Sequence, residues 1–482
     1  MSARRPPFNA RQYTLPPPVV FPSFEFAIFF PLVLVLSWAL MPHPRAWKAF
    51  VLAASYLFYG AASATFCLLL AAVTLANQAG AMLVHRASSE RHAKLLCAAT
   101  VAVDLGVLGL YKYYGFFVDE FSGLLDSIGL GATTPVLNLA LPIGLSFYTF
   151  QAISYVVDVK RGEIDPAPTI DVAIYLSFFP HVVAGPIVRA KEFLPQLTKP
   201  RDKRDVAVGA AVVLIAVGLV KKVAIADFLA REVVDDVFAV PQQYAAPDVI
   251  LAAYAYAAQI YCDFSGYTDI AIGVALLMGF VFPRNFHSPY RARSFREFWR
   301  RWHITLSRYL RDFLYIPLGG NRGGPWRSAR NLMITMLLGG LWHGAAWGFI
   351  LWGGLHGAAL GIERLLRGRV PAPPGWARWA IVFHVVVFGW ILFRTEDLSR
   401  AGEFIGQLTE PGPATLWSFP VVLAVAAVIG FQLLPERPLE QLRIRVANLQ
   451  PVALGPGLAV TVAVVAATVP SQAVPPFIYF QF

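Results

Sequence analysis

Two histidines near the middle of the chain lie between aromatic residues, in segments of opposite character. His303 belongs to a basic amphipathic segment, 294–324, and His343 belongs to an apolar segment, 331–357. A neutral imidazole can accept a proton near neutral pH, so either side chain could act as a general base. An ionisable side chain inside a membrane is costly, and it is therefore a candidate functional group. The two histidines together indicate chemistry carried out within a bilayer.

The segment around His303 divides into two faces when residues 295–313 are drawn as one helix. The apolar face includes Trp302, and the polar face carries Arg296, Arg300, His303, Ser307 and Arg311 at steps of three and four residues. This pattern predicts a helix that lies at the membrane surface. The arginines could hold anionic lipid headgroups, or they could bind a phosphate-rich donor such as a coenzyme A nucleotide. Lipid contact alone would not explain a histidine on this polar face, which we call the arginine stripe, because another arginine or lysine would bind lipid headgroups better.

Glycines follow four-residue steps around His343, at positions 340, 344 and 348 and again at 353, 357 and 361. This spacing predicts two helix faces without side chains, against which neighbouring backbones can pack closely. Close packing would exclude water and keep the imidazole of His343 neutral, as a general base requires. The alternative is that His343 only hydrogen-bonds across helices, a structural role that suits His181, His356 and His384 better.

A third polar cluster precedes both histidines. Asp263 and Asp269 interrupt an otherwise apolar stretch, so they must pair, hydrogen-bond or face a water-filled cavity. They could orient a histidine or a hydroxyl, or Asp263 and Ser265 could cap a helix that breaks at Gly266. The glycine-rich loop at 319–324 lacks the lysine and hydroxyl of a nucleotide-binding loop, and we interpret it as a tight turn.

The composition predicts the environment that must hold these residues. Of the 482 residues, 57% are hydrophobic and 14% are charged, and the mean hydropathy is +0.56, which is too apolar for a soluble globular protein. We expect an all-α polytopic membrane protein with about eleven or twelve spanning helices. Their expected starts lie near residues 24, 46, 64, 95, 136, 170, 206, 248, 331, 350, 378, 414 and 452, with one or two not fully spanning. Residues 1–22 are expected to form a disordered tail rather than a signal peptide, and 23–482 a single membrane domain with its catalytic core at about 141–365.

The net charge of +11 is concentrated in one segment. Between Arg284 and Arg330 eleven arginines face only Glu297 and Asp312. Under the positive-inside rule this segment is cytoplasmic. Basic residues also flank the stretch at 170–190 on both sides, and Pro180, Gly185 and Pro186 interrupt it, so we predict that it re-enters the membrane rather than spanning it.

Several enzyme classes lack support in the sequence. The three cysteines lie in apolar stretches without a CxxC pair, which gives no disulfide or zinc framework. No HExxH, GxSxG or GxxxxGK[ST] motif occurs, so a metalloprotease, a nucleophile-elbow hydrolase and a P-loop enzyme are not indicated.

Three long runs form an ordered set: QIYCDFSGYTDIAIG at 259–273, PRNFHSPYRARSFREFWRRWHITLSRYLRDFLYIPLGGNR at 283–322, and NLMITMLLGGLWHGAAWGFILWGGLHG at 331–357. Together they resemble the membrane-bound O-acyltransferases, specifically the bacterial alginate O-acetyltransferase branch. The likeness extends over nearly the whole chain, including LPIGLSFYTFQAISYVVDVKRG at 141–162 and FFPHVVAGPIVRAKEFLPQL at 178–197. One departure is His181, which stands where the branch more often carries glutamine.

The resemblance implies acyl transfer to a hydroxyl. His343 matches the family's catalytic histidine, and His303 matches the second histidine of its active site. We expect His343 to deprotonate the acceptor while His303, with Arg296 or Arg300 nearby, positions the donor from the cytoplasmic side. The fold implied is a bundle of transmembrane helices, with re-entrant and interfacial helices, around a central tunnel. Other candidate substrate-binding residues are Arg296, Arg300, Ser307, Arg311, Trp302, Asp263, Asp269, Asn285, Asn321 and Trp342. No metal and no permanently bound cofactor are expected.

The implied donor is a cytoplasmic thioester, acetyl coenzyme A, and the implied acceptor is an exopolysaccharide such as alginate or acetylated cellulose. The expected location is the bacterial inner membrane. The expected partners are a separate periplasmic acetyltransferase or esterase-like protein, the exopolysaccharide machinery and membrane lipids, with no nucleic acid.

Two other functions remain open at this point. D-alanyl transfer from a carrier-protein thioester, as in teichoic acid modification, would need a docking surface for a folded protein, which the arginine stripe does not exclude. A polysaccharide or lipid transporter would use broken helices and buried polar groups without a covalent step.

Overall fold

Helices form the whole of the regular secondary structure in the part of the chain that the computed structural model describes. The described residues are 21, 23–130, 139–183, 185–449, 456–457 and 459–461. They divide into two compact units, one made of Met1–Val183 with Arg189–Arg204 and the other of Ala184–Val188 with Asp205–Phe482. Both histidines highlighted by the sequence belong to the second unit.

Within the described residues, the first unit contains nine α-helices. They are α1 (Phe24–Leu40), α2 (Pro44–Gly60), α3 (Ala64–His85), α4 (Glu90–Leu108), α5 (Tyr114–Ser127), α6 (Leu145–Lys160), α7 (Thr169–Ser177), α8 (Phe179–Val182) and α9 (Ala190–Thr198). A π-helical turn at Gly109–Tyr113 joins α4 to α5. Serine side chains cap two of the helices, since Ser23 accepts from the Phe26 N–H and Ser89 accepts from the His92 N–H.

Several buried polar side chains of the first unit are paired with one another. The guanidinium of Arg189 donates to the carboxylate of Asp158 at 2.6 Å, and both side chains are buried. Lys48 likewise reaches Asp171 at 2.6 Å, and the Asn77 amide donates to Asp104 at 2.7 Å. His181 is buried with its Nε2 atom 2.8 Å from the carbonyl oxygen of Tyr175, which fits the structural role expected for it. An apolar interior accepts such groups only when their charges and hydrogen bonds are satisfied.

The stretch at 170–190 is interrupted as the sequence predicts. Helix α7 has nine residues and ends at Ser177, α8 has four, and the described residues 185–189 are not helical. Nine residues reach only about 14 Å, less than half of a hydrocarbon core of about 30 Å. Re-entry of this stretch into the membrane remains a prediction.

The second unit begins with a long helical segment that contains two π-helical stretches. It comprises α10 (Val208–Leu219), α11 (Asp227–Leu229) and α12 (Asp235–Ala239), joined by π-helical turns at Val220–Ala226 and Ala230–Val234. The remaining helices are α13 (Ala246–Leu277), α14 (Phe295–Arg301), α15 (Ile304–Leu310), α16 (Pro325–His343), α17 (Trp347–Leu366), α18 (Gly375–Thr395), α19 (Leu398–Gln407), α20 (Phe419–Leu433) and α21 (Glu436–Ala447).

Five described helical segments are long and apolar enough to cross a membrane. They are Ala64–His85, Glu90–Ser127, Val208–Ala239, Ala246–Leu277 and Gly375–Thr395, and the bent pair α20 and α21 would make a sixth if it counts as one span. Most of the expected helix starts coincide with helices, although the one near 136 adjoins residues outside the described ranges, its helix beginning at Leu145, and the one near 452 lies outside them. Fewer described helices than the expected eleven or twelve pass on length and composition, because α1, α2 and α6 have 17 residues or fewer and α16 has two arginines among its first six residues.

Helix α13 runs without a break for 32 residues. The interpretation of Asp263 and Ser265 as caps of a helix broken at Gly266 is therefore wrong. Gly266 instead allows α13 to approach α10, since a Cβ atom at Gly266 would lie 2.7 Å from the carbonyl oxygen of Gly218. The two helices pack backbone against backbone at this point, so the glycine serves packing and not helix termination.

The expected helix over 295–313 is also wrong as a single element. Helix α14 ends at Arg301, Trp302 is extended, and α15 begins at Ile304. His303 between them has φ +41° and ψ +55°, the left-handed conformation. The tight turn expected at 319–324 is confirmed, with Gly319, Gly320, Gly323 and Gly324 all at positive φ.

Glycines bring α16 and α17 together as the spacing predicts. A Cβ atom at Gly353 would collide with the carbonyl oxygen of Met336, and one at Gly340 would collide with that of Phe349. The set at 340, 344 and 348 does not form one helix face, because α16 ends at His343 and α17 begins at Trp347. Gly348 instead lies against the backbone of Leu392 and Glu396.

We expect Gly353→Ala to destabilise the protein by about 1–3 kcal/mol, because the added methyl group overpacks the contact between α16 and α17. Gly354→Ala is the matched control, since its Cβ would meet only the Leu337 side chain at 3.5 Å. The midpoint of thermal unfolding in detergent would fall for Gly353→Ala and stay level or rise for Gly354→Ala. Equal midpoints for the two variants would contradict the close packing.

Candidate active site

His303 is fully buried at the break between α14 and α15. Its backbone carbonyl accepts the first hydrogen bond of α15 from the Ser307 N–H at 2.9 Å. The Phe264 ring from α13 lies edge-on to the imidazole, with ring centroids 4.7 Å apart. A residue other than glycine in the left-handed region costs about 1–3 kcal/mol, so the surrounding structure must hold it there.

Asn285 provides that restraint. Its backbone carbonyl accepts from the Ile304 N–H at 2.9 Å, and its side-chain Oδ1 atom accepts from the Thr305 N–H at 3.1 Å and the Thr305 hydroxyl at 2.9 Å. The Thr305 hydroxyl in turn accepts from the Ile187 N–H at 3.1 Å. Asn285 thus satisfies the first backbone donors after His303, which fixes where α15 begins.

The side-chain Oδ1 atom of Asn285 also determines which ring nitrogen of His303 carries the proton. The Nδ1 atom of His303 lies 3.2 Å from Oδ1 of Asn285. Because the Thr305 N–H can only donate, its partner on Asn285 must be the amide oxygen, which can only accept. Nδ1 of His303 must therefore carry the hydrogen, and Nε2 of the neutral ring keeps its lone pair. Nε2 is buried without a hydrogen-bond partner among the described residues.

Burial also keeps this imidazole uncharged. His303 lies in the connection between α13 and α16, outside the helices that qualify as spans, and desolvation lowers its pKa. A lowered pKa is the shift expected for a buried imidazole, since burial disfavours the protonated ring. At neutral pH His303 therefore presents a buried, unprotonated Nε2 atom.

His343 is the last residue of α16 and is also buried. Three aromatic rings lie nearly perpendicular to its imidazole, with centroids 5.0 Å away for Trp342, 5.1 Å for Trp352 and 5.2 Å for Phe393. These rings come from the ends of α16, α17 and α18. They enclose the imidazole in an apolar environment that excludes water.

Trp342 links the two histidines. Its ring centroid lies 6.3 Å from that of His303 and 5.0 Å from that of His343. Asn285, His303, Trp342 and His343 thus form one buried group, which we call the histidine cluster. The structure brings together these four residues of the set expected from sequence.

Most of the other expected substrate-binding residues lie elsewhere. Arg296, Arg300, Arg311 and Asn321 are exposed, whereas His303 is completely buried. His303 therefore does not belong to the arginine stripe, because the chain turns at Trp302 and rotates the imidazole inward. Like charge from Arg300 lowers the pKa of Arg296, so this exposed pair would attract an anion. Arg311 donates to Asp312 at 2.7 Å.

Trp302 and Ser307 have structural contacts. The Trp302 ring packs on Trp390 with centroids 4.7 Å apart and on Phe286 at 5.0 Å. The Ser307 hydroxyl donates to the backbone carbonyl of Trp302 at 3.3 Å. Both residues stabilise the turn between α14 and α15.

The two carboxylates of α13 pair with lysines. Nζ of Lys222 lies 2.6 Å from Asp263 and 2.8 Å from Asp227, and all three side chains are buried. Asp269 pairs with Lys221 at 2.7 Å, where both side chains are about one-fifth exposed. Charged groups in an apolar helix were expected to pair, and the adjacent lysines at 221 and 222 were the sequence signal for the partners.

Sequence reasoning identified Trp342 but missed Trp352 and Phe393, the other two aromatic residues that enclose His343, and it left His356 as a structural residue. Trp352 contacts both His343 and His356, with ring centroids 5.1 Å and 4.9 Å away. Both nitrogens of His356 are buried without hydrogen-bond partners among the described residues. The four-residue step from Trp352 to His356 on α17 could have indicated that the two side chains share a face.

Comparison with known proteins identifies a family. A model described as "MBOAT, membrane-bound O-acyltransferase family" matches residues 51–395, which include both histidines. A probable alginate O-acetylase AlgI of Pseudomonas aeruginosa is 42% identical over 443 residues, covering 88% of this chain and 83% of that protein.

Two more distant relatives are named for activity on other polymers. A peptidoglycan O-acetyltransferase of Helicobacter pylori is 34% identical, covering 74% of this chain and 72% of its own. A teichoic acid D-alanyltransferase of Streptococcus thermophilus is 27% identical, covering 63% of this chain and 83% of its own.

We expect the His303 ring to carry its proton on Nδ1 at neutral pH. ¹⁵N spectra of histidine-labelled protein would show an unprotonated Nε2 signal that disappears in His303→Asn, a replacement that tolerates positive φ. Asn285→Leu would remove this preference, because it deletes the acceptor. Asn331→Leu, which removes a buried amide bonded to Gly320, is the control and would leave the signal unchanged. An Nε2-protonated His303 in the unaltered protein would contradict the assignment.

We expect Lys222→Met to destabilise the fold by about 3–5 kcal/mol, because it leaves two buried carboxylates without their cation. Lys221→Met breaks the more exposed pair with Asp269 and should cost no more than about 1 kcal/mol. Thermal unfolding and the yield of monodisperse protein in detergent would measure the difference. Similar losses for the two variants would show that Lys222 is not an essential counter-ion.

Proposed function

Because the chain belongs to the membrane-bound O-acyltransferase family and is a multi-pass membrane acyltransferase, we propose that it transfers acetyl groups for O-acetylation of an exopolysaccharide. The proposed donor is acetyl coenzyme A on the cytoplasmic side of the bacterial inner membrane, and the proposed polymer is alginate or cellulose. The alginate O-acetylase name of the 42% identical relative supports this class of polymer. The observation that carries the proposal is the buried histidine cluster with its unprotonated Nε2 atom.

The proposed reaction needs a base and a dry environment. His343 removes the proton of the acceptor hydroxyl, the oxygen attacks the thioester carbonyl, and the carbon–sulfur bond breaks. The proton then passes from the imidazolium to the departing thiolate, so that atoms and charge balance. The aromatic rings of Trp342, Trp352 and Phe393 keep the imidazole neutral beforehand and exclude the water that would hydrolyse the thioester.

For His303 we propose a role that differs from the one the sequence suggested. The sequence assigned it to the donor, together with Arg296 or Arg300. Its Nε2 atom in the neutral ring accepts hydrogen bonds and cannot donate one to a carbonyl oxygen. His303 is therefore suited to accept a hydrogen bond from a second hydroxyl of the acceptor, which orients the reacting hydroxyl toward His343 and the thioester. Arg296 and Arg300, exposed on α14, remain candidates for the phosphates of the donor.

The proposed partners follow from the separation of donor and acceptor. A cytoplasmic thioester and an extracellular polymer require a passage through the protein and a protein that receives the acyl group outside. We propose a periplasmic acetyltransferase or esterase-like protein in that role, acting with the exopolysaccharide machinery. D-alanyl transfer from a carrier protein is the second candidate, supported by the more distant D-alanyltransferase relative.

We expect His343→Ala and His303→Asn each to lower acetyl transfer by about 100-fold or more, the range of a lost general base or its positioning partner. His384→Ala is the matched control, because His384 is exposed and bonds only its own helix at Ala380 among the described contacts. Mass spectrometry of acetyl groups on the secreted polymer would measure transfer, and thermal unfolding in detergent would establish that each variant folds. Unaltered acetylation in a folded His343→Ala protein would reject the mechanism.

The donor is tested separately in proteoliposomes. Labelled acetyl coenzyme A and a D-alanyl carrier protein would be supplied outside vesicles that contain the enzyme, with His343→Ala as the blank. Transfer from acetyl coenzyme A alone would support the proposed donor. Transfer from the carrier protein alone would replace it with D-alanylation while leaving the histidine chemistry in place.

A further inference from the structure

A cavity of about 660 Å³ lies in the second unit, apart from the residues of the histidine cluster. Its polar lining comes from Arg291, Arg293, Arg301 and Glu297, and two tryptophans, Trp376 and Trp379, form part of its wall. None of these residues is needed for the chemistry proposed above. The cavity is therefore a candidate site for a ligand other than the acyl donor and the acceptor.

The helices around the cavity place it at the level of the membrane surface. Trp376 and Trp379 lie in the first turns of α18, one of the segments that qualify as spans. Leu433 at the end of α20 also lines the cavity, and the following helix, α21, leaves at 101° to α20. The beginning of one apolar helix and the end of another thus meet at the cavity. Tryptophans at such a level are typical of the boundary between hydrocarbon and water, and Trp376 is 74% exposed.

The charges around the cavity leave one guanidinium without a carboxylate. Glu436 pairs with Arg301 at 2.7 Å and with Arg291 at 3.0 Å, and Glu297 pairs with Arg301 at 2.9 Å. The backbone N–H of Arg293 donates to Glu297 at 2.9 Å, but the Arg293 guanidinium makes no ion pair with any described residue. Three arginines thus face two carboxylates, which leaves a single positive charge at the exposed Arg293.

We propose that this cavity binds the headgroup of an anionic phospholipid, with the phosphodiester held by Arg293. A phosphodiester carries one negative charge, which matches the one unpaired guanidinium, and its oxygens fit the guanidinium fork. The position beside Trp376 at the end of a spanning helix favours a ligand with its tail in the bilayer. Arg291 and Arg301, fixed by Glu436, keep the cavity open and of constant shape.

Native mass spectrometry after purification from membranes with equal phosphatidylcholine and phosphatidylglycerol would test the site. The unaltered protein should retain phosphatidylglycerol preferentially, and Arg293→Gln should lower this retention about fivefold. Arg293→Lys should keep most of it, because the charge remains. Arg378→Gln is the matched control, since Arg378 is exposed on the same end of α18 but does not line the cavity.

Two results would overturn the proposal. Equal retention of phosphatidylglycerol by Arg293→Gln and the unaltered protein, or equal loss in Arg378→Gln, would show that the cavity does not select the lipid. Inorganic phosphate and adenosine 3′,5′-bisphosphate would be titrated in parallel. Binding of either that depends on Arg293, together with no preference for phosphatidylglycerol, would assign the cavity to a soluble phosphate ligand. Thermal unfolding of Arg293→Gln would establish that the variant folds.

Discussion

The amide oxygen of Asn285 is the acceptor on which the arrangement of the site depends. It receives hydrogen bonds from the Thr305 backbone, the Thr305 hydroxyl and Nδ1 of His303. These bonds hold a left-handed residue at the junction of two short helices, set the start of α15 and fix the tautomer of the imidazole. An amide oxygen has two lone pairs, so three donors saturate it and no donor from a substrate can replace them. The orientation of His303 is thus decided before any ligand arrives.

The apolar interior imposes the second constraint, since every charge must find a partner there or move to the surface. Asp263 forms an ion pair with Lys222, whose ammonium also pairs with Asp227. Arg296 and Arg300 of α14 instead remain exposed to solvent. The two imidazoles meet the constraint differently, because a neutral ring loses little on burial compared with a charged one. Histidine is therefore the ionisable residue that the interior can hold ready for proton transfer.

The sequence predicts the parts of this arrangement that depend on local patterns. Most helix starts, the interruption at 170–190, the glycine turn at 319–324 and the close approach of α16 and α17 all follow from hydropathy, proline and glycine. The break at His303 does not follow, because residues 295–313 keep a helical period and no glycine or proline marks the turn. Its cause is Asn285, 18 residues earlier in the chain. The number of spans stays a prediction, because hydropathy measures apolarity and not whether a helix continues for 18 residues, and five described segments pass both criteria on their own.

The two histidines lie in different environments, which is the basis of the separate roles that we propose for them. Aromatic edges surround His343 and shield it from solvent. His303 is held by an amide oxygen that favours one tautomer of the neutral ring. We propose that the rigidly held ring of His303 orients the acceptor through a hydroxyl other than the reacting one, whereas His343 gains and releases the proton within one cycle. The Trp342 ring contacts both imidazoles, so an acceptor oriented at His303 would lie beside His343.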